Sequence, residues 1–190
     1  MMDKTIPYYP IIMYRKQGST IPNDILPPEY KLDLYKKGDE KEWVRIAMSL
    51  GEFENEKEGL SYFESEFKNY EDELSRRCLF LVTPDGEKVG TLTNWWTYTG
   101  IRRDPWLKWF LLRPEYQGKG LGKRMFYEGL HQMIAIEGDR DIYLHTQTWS
   151  YKGINIYRKA GFVIATEDGL GGYKNKDYLN AEEVLKAYYR

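Results

Sequence analysis

The amino-acid sequence predicts an α/β fold, and three features of its pattern indicate this. Residues 30–35 alternate between apolar and polar side chains, as a half-buried strand does. The apolar runs 78–83 and 88–98 are joined by Pro-Asp-Gly at 84–86, which favours a hairpin turn because proline presets the first corner and glycine accepts a positive φ. A further apolar run, 105–112, breaks into a glycine-rich turn that opens an amphipathic helix.

Each element follows from its own spacing. Apolar residues that recur every three or four positions indicate helices, and short alternating or apolar runs indicate strands. From residue 29 onward we expect, in order, a strand at 30–35, a helix at 39–50, a helix through Leu60, Phe63, Phe67 and Leu74, strands at 78–83, 88–98 and 105–112, a helix to about residue 137, a strand at 141–146, a helix at 150–159, a strand from residue 162 and a final helix at 180–189.

The first 28 residues differ from the rest of the chain because they are rich in proline and tyrosine. Prolines at positions 7, 10, 22, 27 and 28 forbid a continuous helix there. We interpret residues 1–28 as an N-terminal extension and residues 29–190 as the main domain. The segment 8–14 is expected either to form an edge strand or to lie across the domain.

Composition and charge exclude several classes of function. The 190 residues suit a single domain with a core, and 28 Lys plus Arg against 29 Asp plus Glu provide no electrostatic case for nucleic acid or an anionic membrane. No run approaches the roughly 20 apolar residues that span a bilayer. The N-terminus also lacks a secretory pattern, since prolines interrupt its apolar residues and no cleavage site follows. We therefore expect a cytoplasmic protein.

The single cysteine, Cys78, excludes an internal disulfide and suits a reducing compartment. It lies in an apolar run, which favours a buried structural thiol over a nucleophile. The methionines of the helix that follows the glycine-rich turn recur at helical spacing, so we expect them to pack in the core. No metal site is expected.

The most informative segment is the glycine-rich turn itself. Glycines at 118, 120 and 122 let the backbone approach a ligand closely, and the free N–H groups at the start of the next helix can point at phosphate oxygens. Lys119, Lys123 and Arg124 add positive charge around the turn. This pattern predicts a phosphorylated cofactor. Two familiar phosphate motifs fail here: a dinucleotide fingerprint would need glycine at position 123, and a P-loop would need glycine at 117 and a hydroxyl at 124.

The remaining pattern, Gln-x-x-Gly-x-Gly through Gln117, Gly120 and Gly122, resembles the GNAT superfamily of acyl-CoA-dependent N-acyltransferases. A second signature of that family, a helix ending in Tyr-x-Lys-x-Gly-Phe, has its counterpart in Tyr157, Lys159, Gly161 and Phe162. The predicted order of elements agrees with the GNAT fold over about residues 29–175. The resemblance implies a mixed, mostly antiparallel central sheet flanked by helices.

The resemblance also implies roles for individual residues. In that family the turn holds the pyrophosphate of coenzyme A, and the main chain of the preceding strand bonds the pantetheine arm and polarises the acetyl carbonyl. The residues that match the turn are Gln117, Gly118, Lys119, Gly120, Leu121, Gly122 and Lys123, and those that match the strand are Phe110, Leu111 and Leu112. Tyr157 occupies the position of the acid that protonates the departing thiolate, a role that a phenol with a pKa near 10 can fill.

One position departs from the family pattern. An asparagine commonly stands seven residues before the tyrosine, and this chain has Ser150 there. A hydroxyl can cap the helix or bond the pantetheine arm, so we expect cofactor binding to be retained with altered detail.

The base that deprotonates the amine is the least determined role. His145, at the end of a predicted strand, is our first candidate, because a neutral imidazole takes a proton directly or through water. Glu115 in the turn is a second candidate, although a solvated surface carboxylate is the simpler interpretation. Asp104 is a third, and a water chain without a dedicated base is a fourth.

Aromatic residues bear on the acceptor. Trp95, Trp96 and Tyr98 lie on one predicted strand, and Trp106 and Trp109 lie on the next. Alternation places Trp95 and Trp96 on opposite faces, so at most one of them joins the core. Exposed tryptophans would favour a flat, apolar or cationic acceptor, whereas buried ones would indicate a tryptophan-rich core.

These observations predict an N-acetyltransferase that moves an acetyl group from acetyl-CoA directly to a small-molecule primary amine, without a covalent enzyme intermediate. The alternatives are acetylation of a protein N-terminus or lysine, a noncatalytic CoA-binding regulatory module, and an aromatic-rich ligand-binding domain without CoA. The acceptor, the preferred acyl chain and the oligomeric state, a homodimer included, stay open.

Overall fold

The structure is a computed structural model that describes residues 3–189. Its strands are β1 (Pro10–Arg15), β2 (Lys31–Leu34), β3 (Cys78–Val82), β4 (Lys88–Thr99), β5 (Arg102–Leu112), β6 (Ile142–Gln147) and β7 (Phe162–Ile164). Its helices are α1 (Glu40–Met48), α2 (Glu56–Phe67), α3 (Glu71–Arg77), α4 (Leu121–Glu137), α5 (Tyr151–Lys159) and α6 (Tyr178–Lys186). The predicted order of elements from residue 29 onward is confirmed.

The described strands form one seven-stranded sheet in the order β2-β3-β4-β5-β6-β1-β7. The pairings β2–β3, β3–β4, β1–β6 and β1–β7 are antiparallel, whereas β5 and β6 run parallel, with Trp106 opposite Tyr143. The mixed, mostly antiparallel sheet flanked by helices that the sequence predicts is therefore present.

The chain forms two compact units. The first comprises residues 3–23, Trp95–Lys108 and residues 133–189; the second comprises Asp24–Asn94 and Trp109–Gln132. One hydrophobic cluster in the core of the first unit, with Tyr14 and Tyr173 packed against it, contains five buried residues: Ile12, Trp106, Tyr143, Ala165 and Leu170. The second unit contains the hairpin of β3 and β4, the three helices before it, and most of α4.

Two expectations about the first half of the chain are wrong. The segment 8–14 neither forms an edge strand nor lies across the domain, because β1 is an interior strand between β6 and β7. Ile11, Ile12 and Met13 are completely buried, which is typical of a strand covered on both faces. The boundary at residue 28 stays a prediction. The second predicted helix is divided into α2 and α3 by a short 3₁₀ turn at Lys68–Tyr70.

Helix α4 packs on β4 through a glycine. A Cβ atom on Gly129 would lie 2.1 Å from Cδ2 of the buried Leu92, so only glycine allows this approach. Beside it, the buried side chain of Asn94 donates to the carbonyl of Gly129 at 2.9 Å and to Oε1 of Gln132 at 2.8 Å. These contacts hold the helix whose N-terminus faces the glycine-rich turn.

No helix in the range 3–189 is both long enough and apolar enough to cross a membrane. Cys78 is buried with a free thiol, and burial raises its pKa to about 11, which agrees with the structural role predicted for it.

Candidate active site

The glycine-rich turn connects β5 to α4 in the second unit. β5 ends at Leu112, a 3₁₀ turn follows at Pro114–Tyr116, and α4 begins at Leu121. Gly118 and Gly120 have φ angles of 77° and 75°, a region that side chains other than glycine rarely adopt. Two of the three glycines are thus required by the backbone conformation, which presents the start of α4 in the way that phosphate sites do.

The cationic side chains around the turn differ in what they contact. The guanidinium of Arg124 folds over the turn, with Nη1 2.6 Å from the position of a Cβ on Gly120. Nε of Arg124 is buried and meets no hydrogen-bond acceptor among the residues that the structure describes. Lys123 Nζ forms an ion pair with Asp24 at 2.9 Å. A buried cationic donor without an acceptor fits an anionic group at this turn, since such a donor is costly to leave unpaired.

Gln117, at the start of the motif, contacts the end of the preceding strand. Its amide nitrogen donates to the carbonyl of Leu112 at 2.7 Å, so the side chain braces the turn against the end of β5. Lys119 Nζ lies 5.2 Å from the centre of the Tyr116 ring. Both residues therefore link the turn to residues that precede it in the sequence.

The end of β5 departs from regular strand geometry at Trp109, whose φ is 55°. It is the only residue other than glycine with a positive φ within the described range, and a bulky residue there costs roughly 1–3 kcal/mol. The distortion immediately precedes Phe110, Leu111 and Leu112, whose main chain the family resemblance assigns to the cofactor. Phe110 packs against Phe126 of α4 with ring centres 5.2 Å apart. No sequence signal predicts the distortion, because aromatic residues normally avoid this conformation.

Glu115 lies in the same unit, half-exposed, and forms a close ion pair with Arg113. The Glu115 carboxylate is therefore already engaged by a neighbouring guanidinium at the surface of the turn. The arrangement favours the surface role for Glu115 that the sequence left open.

Tyr157 lies on α5 in the first unit and is 8% exposed. Its hydroxyl is 3.1 Å from the position of a Cβ on Gly153, one turn earlier, so a glycine there leaves space for it. Burial raises the pKa of Tyr157 well above its usual value, which keeps the phenol protonated at neutral pH. Ser150 stands at the start of the same helix but makes no side-chain cap; its Oγ accepts from Gln147 Nε2 at 3.2 Å.

His145 lies on β6 with one face of its ring stacked on Tyr173, at 4.3 Å between ring centres, while the side chain as a whole is exposed. Desolvation lowers the pKa of His145, so its imidazole is neutral at pH 7. Asp104 is buried, accepts from Thr99 Oγ1 at 2.7 Å and pairs with Arg102 at 2.7 Å. Of these two predicted bases, His145 has the accessible and neutral side chain.

The tryptophans divide into three environments. One of the pair joins the core, as predicted, because Trp95 is buried and Trp96 is only half-buried. Their rings nevertheless stack at 4.2 Å and 12° instead of pointing to opposite faces, and the guanidinium of Arg103 lies 4.6 Å from the Trp96 ring. The large rings turn toward one another and override the alternation of the strand. Trp106 is buried in the core of the first unit.

Trp109 belongs to an aromatic group in the second unit. Its ring lies 4.8 Å from the buried Trp43, 5.1 Å from Tyr62 and 5.9 Å from Phe53, measured between ring centres. Phe53, Tyr62 and Trp109 are each half-buried. The connection from α1 to α2 that carries Phe53 also carries the exposed Glu52, Glu54 and, at the start of α2, Glu56. Apolar ring surface and carboxylates thus occur side by side.

No cluster of three or more His, Cys, Asp or Glu side chains suited to a metal occurs in the described part of the chain.

Comparison with known proteins agrees with this architecture. Spermidine N(1)-acetyltransferase from Escherichia coli (strain K12) is 32% identical over 114 residues, which are 60% of this chain and 59% of that protein. The match therefore spans less than two thirds of the relative's length.

Two solved structures share the fold. A GCN5-related N-acetyltransferase from Sphaerobacter thermophilus has a TM-score of 0.60 at 23% identity, over 83% of this chain and 50% of that one. Spermidine N-acetyltransferase from Vibrio cholerae, solved in complex with CoA and spermine, has a TM-score of 0.56 at 17% identity, over 75% of this chain and 85% of that one. The acetyltransferase (GNAT) family model matches residues 42–162, more than half of the chain, and the protein belongs to this family.

Proposed function

We propose that this protein is an N-acetyltransferase that moves the acetyl group of acetyl-CoA to a primary amine on a small molecule. The observation that carries the proposal is the glycine-rich turn at the start of α4, with Gly118 and Gly120 at positive φ and a buried Arg124 nitrogen that lacks an acceptor among the described residues. Gln117, Gly118, Lys119, Gly120, Leu121, Gly122 and Lys123 form the segment that would hold the pyrophosphate.

The chemistry is a direct transfer. The amine nitrogen attacks the thioester carbonyl carbon, a C–N bond forms, and the C–S bond breaks as the thiolate leaves. Tyr157, which is protonated at neutral pH, gives its proton to that thiolate. His145 takes the proton from the attacking amine, directly or through water, and its lowered pKa keeps it in the neutral form. Main-chain groups of Phe110, Leu111 and Leu112 polarise the carbonyl.

The acceptor that we propose is a polyamine or another amine that carries a second positive charge. Relatives named as spermidine acetyltransferases support this class. The half-buried rings of Phe53, Tyr62 and Trp109 support it as well, since aromatic faces attract ammonium groups. The exposed carboxylates of Glu52 and Glu54 on either side of Phe53 supply complementary charge. A cytoplasmic location and a homodimer remain predictions from the sequence.

The test is an assay of thiol release from acetyl-CoA with a panel of acceptors at equal concentration. We expect spermidine and spermine to be acetylated with a kcat/KM at least about tenfold above that of a monoamine without a second charge, a difference of about 1.4 kcal/mol in transition-state stabilisation. Acetylation of a peptide N-terminus or lysine in preference to these amines would contradict the acceptor class. Saturable CoA binding without turnover on any amine would leave a noncatalytic CoA-binding module.

A further inference from the structure

Glu87 gathers three side chains beside the glycine-rich turn. It precedes β4 in the hairpin that joins β3 to β4, and all of its partners belong to the second unit. Its carboxylate accepts from Arg45 Nη1 at 2.9 Å and from the Tyr116 hydroxyl at 3.2 Å, and it forms a close ion pair with Arg113. The hydrogen bonds from Arg45 and then Arg113 lower the pKa of Glu87 to about 2, so the carboxylate is charged at neutral pH.

Two of these partners bound the 3₁₀ turn Pro114–Tyr116 that leads into the glycines. Arg113 lies at one end of it, where its backbone N–H donates to Val89 at 2.9 Å and its carbonyl accepts from Tyr116 at 3.0 Å. Tyr116 lies at the other end, one residue before Gln117. Glu87 therefore contacts both ends of the short segment that leads into the glycine-rich turn.

The Tyr116 ring also contacts a residue of the glycine-rich turn, Lys119. Lys119 Nζ lies 5.2 Å from the ring centre and the Arg113 guanidinium lies 5.9 Å from it. A cation over a tyrosine face is attracted by the ring. The hydroxyl contact with Glu87 therefore fixes the ring on which the ammonium of Lys119 rests.

We propose that Glu87 is a positioning residue for the cofactor turn: by holding Arg113 and Tyr116 it sets the geometry in which Lys119 and the turn meet the phosphates of CoA. The inference rests on the proposed function, since CoA is the ligand. No motif contains Glu87, which is separated from Arg113 and Tyr116 by 26 and 29 positions in the sequence.

Charge and position act in opposite directions here, and this makes the inference testable. Removing a carboxylate next to an anion site favours anion binding electrostatically. Removing a side chain that holds the binding groups in place disfavours anion binding, because those groups lose their fixed geometry. If Glu87 served only as a counter-charge for the arginines, its neutralisation would tighten CoA binding. If it positions the turn, neutralisation weakens binding.

The experiment compares Glu87→Gln and Tyr116→Phe with the wild type and with Glu73→Gln. Glu73 is the matched control because its carboxylate also binds two arginines, Arg76 and Arg77, and its side chain has the same 33% exposure as that of Glu87. Calorimetry gives the Kd for CoA, and steady-state kinetics give kcat and the KM for acetyl-CoA. Repeating the titration at about 0.5 M salt screens the charge effect and leaves the positioning effect.

We expect Glu87→Gln to weaken CoA binding about tenfold, the equivalent of one lost hydrogen bond to a charged group. Tyr116→Phe, which changes no charge, should weaken it about threefold, and kcat at saturating acetyl-CoA should stay within about twofold for both variants. Glu73→Gln should bind CoA as the wild type does.

CoA binding by Glu87→Gln that equals or exceeds that of the wild type would overturn the inference while leaving the proposed function intact. If Glu87→Gln fails to fold, unchanged CoA affinity in Tyr116→Phe would overturn it instead. Failure of the wild type itself to bind CoA would overturn the proposed function together with the inference, so the two failures are distinguishable.

Discussion

The Nη1 atom of Arg124 lies 2.6 Å from the point at which a Cβ atom would project from Gly120. The guanidinium therefore lies where a side chain at residue 120 would project, and such a side chain would push the end of Arg124 away from the turn that precedes α4. Because Gly120 also has a φ of 75°, an alanine there would strain the backbone and displace Arg124 together.

This relationship predicts that Gly120→Ala weakens CoA binding by about tenfold or more, the equivalent of roughly one lost charge-assisted hydrogen bond. Gly138→Ala is the matched control, since Gly138 has a φ of 76° and nothing within 4 Å of its Cβ position. The two variants share the positive φ, and they differ in the contact with Arg124 and in their position before and after α4. Equal CoA affinity in both, measured by calorimetry, would show that Arg124 does not act at the turn.

Replacing Tyr157 by phenylalanine tests the acid. Because the phenol is buried and holds its proton, its loss should lower kcat by about 10²–10⁴-fold, the usual contribution of a positioned acid. The Kd for CoA should stay within about twofold, since the proposed role of the phenol is at the leaving sulfur and not at the phosphates. The measurement is the rate of thiol release at saturating acetyl-CoA, alongside calorimetry. A Tyr157→Phe variant that turns over at the wild-type rate would remove the acid role.

The pH dependence of kcat reports on His145. Desolvation lowers the pKa of its imidazole, so the fall in activity on the acidic side should lie at a lower pH than for an ordinary histidine. His145→Gln should lower kcat by about 10²-fold and abolish that acidic limb. An unchanged limb in the variant would assign the titration to another group or to the acceptor amine.

The ion pair between Lys123 and Asp24 competes, in our proposal, with a phosphate of CoA for the same ammonium group. Because Nζ of Lys123 lies 2.9 Å from the Asp24 carboxylate, Asp24→Asn should release its charge and tighten CoA binding by about two- to fivefold at low salt, in line with a partly exposed ion pair. Asp33→Asn is the control, since Asp33 pairs with Lys31 at 2.9 Å with the same 34% exposure. Weaker binding in Asp24→Asn would show that Asp24 orients the lysine instead of competing for it.

The close packing of α4 on β4 predicts a stability effect. Gly129→Ala would bring a methyl group to 2.1 Å from Cδ2 of Leu92, and overpacking of this kind costs about 1–3 kcal/mol. The free energy of unfolding, measured by urea denaturation, should fall by that amount, whereas the neighbouring Glu128→Ala should change it by about 0.5 kcal/mol or less. An unchanged midpoint in Gly129→Ala would mean that Leu92 has room to move.

The features of this protein that depend on neighbouring residues in the sequence can be predicted from the sequence. The turn needs a positive φ at residues 118 and 120, and glycine is the residue type that adopts it readily. The amino-acid sequence alone therefore identifies the turn. Tyr157 is recognisable for a similar reason, because it stands at a set distance before Gly161 in its motif. The approximate extents of β4, β5 and α4 follow from hydrophobic periodicity.

Contacts between distant parts of the chain are beyond the reach of local patterns. β1 pairs with β6 and β7, which brings Ile12 opposite His145, and nothing in the segment itself identifies that partner. Glu87 is similar: an acidic residue after a hairpin turn has no distinctive signal, and its role depends on three donors, one from α1 and two from the segment after β5. The stacked rings of Trp95 and Trp96 show that packing between large side chains can override strand alternation.

The most direct test of the proposed cofactor site is a calorimetric titration of the purified protein with acetyl-CoA and CoA, with ATP and NAD as comparisons. We predict saturable binding of both CoA species, no comparable binding of ATP or NAD, and a loss in affinity of about tenfold or more for Gly120→Ala but not for Gly138→Ala. Absence of binding by either CoA species would contradict the assignment of the turn to the CoA pyrophosphate, and with it the proposed acetyl transfer.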